Sequence, residues 1–114
     1  MADLANLVIE QGEDFDASFQ FLDADDANAY DFTDCTARMQ IRAEPDGDVV
    51  LELTTENARL SLDAETCTLS IALTAEETTD LNINGVYDVE VVYPDDAVDR
   101  VIQGVVITDH EVTA

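Results

Sequence analysis

Apolar residues recur at every second position in short runs along this chain, and no other feature limits its fold so strongly. A period of two places successive side chains on opposite faces of an extended strand, so each run has one face to bury. Phe15, Ala17, Phe19 and Phe21 alternate with Asp16, Ser18 and Gln20. Cys35, Ala37, Met39 and Ile41 alternate with Thr36, Arg38, Gln40 and Arg42. Cys67, Leu69, Ile71 and Leu73 form a third row, and Tyr87, Val89, Val91 and Tyr93 a fourth. Weaker runs occupy residues 4–10, 49–53, 60–62 and 98–108. Turn chemistry separates them: Gly12, Pro45-Asp46-Gly47 with its preset φ and permissive glycine, and Pro94-Asp95-Asp96. The acid-rich residues 23–31 read as a solvated loop.

One segment breaks the alternation. Thr74-Ala75-Glu76-Glu77 has capping-box spacing, and Asn84-Gly85 stops whatever short helix it starts. The spacing predicts an antiparallel β-sandwich of roughly seven to eight strands with one short helical turn. At 114 residues, it is one domain spanning 1–114. Its core is expected to hold Phe15, Phe19, Met39, Ile41, Leu69, Ile71, Tyr87, Val89 and Val91.

The charge excludes whole classes of partner. Twenty-seven Asp+Glu face 4 Lys+Arg, all of them arginine, for a formal charge of -23. Such a surface repels phosphate backbones and anionic lipid, so neither nucleic acid nor a membrane surface is an expected partner. No apolar run approaches the roughly 20 residues of a bilayer span. The opening residues lack a basic, then apolar, secretory signal, which points to synthesis in a cytoplasm. The lysine-free, aspartate-rich composition also suits saline surroundings, where self-repulsion is screened.

Catalytic and metal chemistry find little purchase. Cys35 and Cys67 sit on inward rows and are expected to be buried and reduced, because nothing marks the chain for export. The single histidine, His110, lies near the end of the sequence, too few ligands for a metal site. A Cys–His110 nucleophile is disfavoured because reactive thiols need exposure and positive field. Acid pairs such as Asp25-Asp26 and Asp95-Asp96 are read as solvated loops, since the EF-hand spacing is absent. With no phosphate-binding glycine motif or cofactor fingerprint, no cofactor and no enzyme activity are expected.

The last run points elsewhere. Val98, Val101, Ile102, Val105, Val106 and Ile107 put apolar side chains on both faces of residues 98–108, as Leu7, Val8 and Ile9 do near the start. Terminal strands apolar on both faces fit an assembly module. The candidate interface is Arg100 as a register-setting contact with Val101, Val105 and Ile107, or the opposite row of Ile102 and Val106. Arg100 is equally readable as an internal ion-pair partner, as are Arg38, Arg42 and Arg59. Tyr87 has two readings as well. Following a helical turn into a strand, it resembles the tyrosine corner of immunoglobulin-like sandwiches, or it is one more inward aromatic.

Residues 85–113 carry a more specific likeness. Gly85, Tyr87, Asp88 and Glu90, followed by Arg100, Gly104, Val106 and a Glu111-Val112-Thr113 ending, resemble the close of small Ig-like structural proteins of tailed bacteriophages. TARMQIR (residues 36–42) and DFDASFQF (residues 14–21) resemble earlier strands of the same proteins, so the likeness covers nearly the whole chain. Ala114 stands after Thr113, where such proteins often have arginine. The resemblance implies a non-enzymatic virion component of tail, baseplate or fibre, made in the host cytoplasm. It would self-associate as a homo-oligomer or dock onto other virion structural proteins. A capsid decoration protein and a small ligand- or carbohydrate-binding module are the alternatives.

Overall fold

The computed structural model describes residues 3–25, 27–81 and 84–109. Among these residues nine strands and one short helix follow in order. They are β1 (Asp3–Leu4), β2 (Leu7–Glu10), β3 (Phe15–Gln20), β4 (Thr36–Arg42), β5 (Val49–Thr54), β6 (Leu60–Asp63), β7 (Thr68–Leu73), α1 (Ala75–Thr79), β8 (Gly85–Val92) and β9 (Val98–Asp109). The larger sheet runs β1-β9-β8-β4-β5 with β2 also on β9, and the smaller runs β3-β7-β6. The expected β-sandwich is therefore formed. The strand count exceeds expectation by splitting the first run, since β1 and β2 flank Ala5 and Asn6 along one edge of β9. Both pair with β9 in parallel, whereas every other pair of strands is antiparallel.

The two sheets close over a core that includes Met39, Ile41, Leu53, Leu69, Ile71, Val89 and Val91. Phe15 and Phe19, expected in the core, are only partly buried, because β3 lies at the edge of a three-stranded sheet. Phe21 takes the deeper position and meets Tyr30 edge-on at 5.6 Å and Phe32 at 6.0 Å. The acid-rich loop is thus pinned by aromatic residues at its end, each pair contributing about 1 kcal/mol beyond area burial.

The helix starts as its sequence requires. The Thr74 hydroxyl accepts from the Glu77 N–H at 3.2 Å, and the Glu77 carboxylate accepts from the Thr74 N–H at 3.0 Å. That second bond, helped by Arg59 and the Thr74 hydroxyl, holds the Glu77 carboxyl below its ordinary value. Thr78 is fully buried, donating to the Glu13 carbonyl at 2.8 Å and accepting from the Gly12 N–H at 3.0 Å. The helix thereby fastens the β2–β3 turn.

Candidate docking interface

A β-bulge decides what the last strand offers to a partner. β8 pairs Val89 with Ile102 but Glu90 with Arg100, so Val101 is an extra residue on β9. A bulge of this kind turns two consecutive side chains to the same face. Val101 and Ile102 are accordingly both in the core, at 0% and 1% exposure. Beyond the bulge the alternation resumes with Val106 and Thr108 buried, and Val105 (40%) and Ile107 (44%) exposed. The expected interface set is therefore divided. Arg100, Val105 and Ile107 are at the surface, while Val101, Ile102 and Val106 are occupied inside the sandwich.

The outer face of the larger sheet gathers residues that were read separately in the sequence. Val105 lies opposite Val86 on β8, and Ile107 lies beside Val8 on β2. Arg100 pairs with Asp88 at 3.3 Å, and Arg38 donates to Glu90 at 2.9 Å. Arg42 donates to the Gly47 carbonyl at 2.6 Å and to Gln40 at 2.7 Å, and Gln40 donates in turn to Glu52 at 2.9 Å. Three of the four arginines thus project from one sheet face. Leu4, Arg42, Pro45, Val86 and Gln103 are among the residues lining a depression of about 720 Å³ there.

Tyr87 does not form the corner it resembled. Its hydroxyl donates to the Ala5 carbonyl at 2.6 Å, tying β8 to the first strand rather than to its own crossover. Gly104 makes this possible. A Cβ on Gly104 would stand 2.0 Å from the Ala5 oxygen, so only glycine lets that carbonyl dip into the sheet. Asn6 completes the junction, its side-chain oxygen accepting from the Val105 N–H at 3.2 Å. Tyr87, Gly104 and Arg100, which carry the likeness to the phage proteins, are spent on joining strands.

Burial pushes the Tyr87 phenol up to about 12. Its neutral form is favoured by folding, so this contribution is complete below the ordinary tyrosine value near 10 and is lost as pH rises towards 12. Tyr30 and Tyr93 are raised as well, each first by desolvation. The melting temperature is expected to fall steadily from about pH 10 upward. Tyr87→Phe should remove part of that slope at a cost of about 1–2 kcal/mol at neutral pH, because the Ala5 carbonyl loses its donor. Equal slopes in the two proteins would contradict this assignment.

Both cysteines are free; Cys67 is buried as expected, whereas Cys35 is only half-buried. The Cys35 Sγ donates to the Asp31 carbonyl at 3.4 Å, and the Cys67 Sγ to that of Tyr30 at 3.3 Å. Desolvation, then Asp31, Asp34 and Asp95, raise the Cys35 thiol, which lowers its reactive thiolate fraction. Native-state thiol labelling at pH 8 should modify Cys35 more slowly than a free thiol and Cys67 only on unfolding. Unlabelled denatured protein would show a disulfide instead. Among the described residues no three His, Cys, Asp or Glu side chains come together to hold a metal. His110 and the 111–113 ending lie outside the described residues.

Comparison with known proteins gives the fold wide company: 159 solved chains match. One is the extracellular domain of the voltage-gated sodium channel β4 subunit, described in terms of parallel homodimers and a role in cell–cell adhesion. It aligns with a TM-score of 0.54 at 13% identity, over 98% of this chain and 96% of that one. An identity so low speaks for the fold alone, here the immunoglobulin-like arrangement of two sheets. No curated protein matches significantly. The sequence itself matches the description "LtfC-like, beta-sandwich domain" over residues 2–109, supporting a phage β-sandwich. The chain belongs to the LtfC-like β-sandwich family, which is related to phage tail fibres.

Proposed function

We propose that this chain is a non-enzymatic structural module of the phage virion, an adaptor in the tail-fibre apparatus that holds larger proteins together. The observation that carries this reading is the family match across residues 2–109. The use of the motif residues agrees with it. Tyr87 and Gly104 lock the first strand onto the sheet, while Arg38 and Arg100 pair with Glu90 and Asp88. A scaffold needs such joints, and a catalytic centre needs side chains left over for substrate. The apolar side chains exposed on β2 and β9 supply a docking surface at about 25 cal/mol per Å² buried. The acidic remainder keeps unassembled copies soluble.

Mass spectrometry of purified particles, followed by electron microscopy of particles carrying a tagged copy, tests the proposal. The tag is expected at the tail or its fibres. A tag distributed over the head would overturn the tail assignment in favour of a capsid decoration protein. Absence of the chain from purified particles would overturn the virion reading altogether.

A further inference from the structure

Residues 49–54 (VVLELT) are rich in β-branched and apolar side chains with a single charge, and they form β5, the last strand of the larger sheet. Such a segment at an open edge is a ready template for another strand. The other edges offer less. β1, β2 and β6 are four residues long or shorter, and β3 exposes Asp16, Ser18 and Gln20. β5 exposes Val49 and Val50, at 41% and 42%. Its register shows which backbone groups face outward. The Thr55 N–H donates to the Ala37 carbonyl at 3.1 Å, and Leu53 and Leu51 lie opposite Met39 and Ile41. In an antiparallel ladder, residues that bond across alternate with residues whose N–H and C=O point the other way. Thr54 and Glu52 therefore turn their backbone groups to the open edge.

The Asn57 side chain meets them there. Its Oδ1 accepts from the Thr54 N–H at 3.0 Å, and its Nδ2 donates to the Glu52 carbonyl at 3.2 Å. One residue of a parallel neighbouring strand would make the same two bonds, to the residues on either side of Leu53. The amide is held in place, since Oδ1 also accepts from the Arg59 N–H at 3.1 Å and the Asn57 N–H donates to the Thr54 hydroxyl at 3.0 Å. At the other end of the strand the register passes from Ile41–Leu51 to Arg42–Val49, so Val50 is an extra, bulged residue. A bulge twists an edge away from flat pairing. We propose that Asn57 is a built-in plug for the β5 edge: its amide fills the place of a neighbouring strand and, with the bulge at Val50, keeps a second copy from adding to the sheet. Between plug and bulge the Glu52 N–H remains, too few rungs for a strand to hold. Charge alone does not close this edge in salt. Near 0.5 M NaCl the Debye length is about 4 Å, shorter than the ~4.8 Å between paired strands. The plug acts where repulsion fails, whatever the chain docks to.

Hydrogen exchange followed by NMR, together with sedimentation equilibrium, tests the plug. In the wild type the Thr54 amide should exchange roughly tenfold more slowly than that of Glu52, each relative to its intrinsic rate, although both point outward from one edge. Equal protection of the two amides would overturn the proposal. Asn57→Ala should keep the wild-type circular dichroism. At ~0.2 mM in ~0.5 M NaCl its average mass should rise above that of the wild type, and in the associated species the Glu52 and Thr54 amides should both become protected. Tyr87→Phe, which lowers stability but leaves the edge plugged, should keep the wild-type mass. Asn57→Ala at the wild-type mass would overturn the proposal, because the amide would then serve its own turn alone. An association that leaves the Glu52 amide unprotected, or that Tyr87→Phe shares, would overturn it too, since unfolding rather than an opened edge would be its cause.

Discussion

Gly104→Ala is expected to lower stability by on the order of 3 kcal/mol, and with it the melting temperature by roughly 15 °C. A single methyl group does this because of where it lands, 2.0 Å from the Ala5 oxygen and 2.8 Å from the Ala5 carbon. Both are backbone atoms, so no side chain can swing aside. The first strand has to leave the edge of β9, which costs the Tyr87–Ala5 hydrogen bond and the Ala5 N–H bond to the Gln103 carbonyl. Denaturant titration of Gly104→Ala, Tyr87→Phe and the double variant checks the mechanism. Both changes act through one carbonyl, so the double variant should cost clearly less than the sum of the singles. Full additivity would mean that the glycine and the tyrosine act separately.

An aspartate at position 101 should abolish folding, whereas the same aspartate at position 105 should change stability by less than about 1 kcal/mol. Val101 is fully buried, so its replacement strands a carboxylate in the core, at a cost on the order of 5 kcal/mol or more. That is comparable to the whole stability of a domain this size. Val105 is 40% exposed, and its substitute would stand in water. Circular dichroism and thermal melts of the two variants separate the outcomes. If Val101→Asp folds like the wild type, the bulge is misplaced. The pair also guards studies of assembly against a false conclusion, since loss of assembly in Val101→Asp would report an unfolded chain rather than a broken interface.

The contrast between positions 101 and 105 also marks where sequence reading stops. Strand β4 was legible residue by residue, because Ala37, Met39 and Ile41 go in while Arg38, Gln40 and Arg42 stay out. The capping box was legible because it is a local device whose partners lie three residues apart. Strand β9 was not, because one inserted residue inverts the parity of everything beyond it and leaves no mark in composition. An apolar side chain on each face looked the same whether it met the core or a partner. Tyr87 was legible as inward, but neither a tyrosine corner nor a plain core aromatic named its acceptor, since Ala5 lies 82 residues away and is reached only through a gap at Gly104. The crowding of three arginines onto one face was equally invisible. Arg38 and Arg42 share a strand, but Arg100 joins them only through the order β9-β8-β4.

The parallel pairing of the first and last strands has a mechanical consequence. Because β2 and β9 run in the same direction, a polypeptide entering through β2 and leaving through β9 passes from one end of the sandwich to the other. Tension applied along that path pulls the two strands past each other, lengthwise. The rungs from Leu7–Val106 to Glu10–Asp109 are then loaded together, in shear, and none can open ahead of the rest as the rungs of a hairpin do when it is unzipped. The Tyr87–Ala5 bond and the dipped carbonyl over Gly104 act as a pin through the same joint. A module built this way transmits force along its length before it yields, a useful property wherever it links one part of a machine to another.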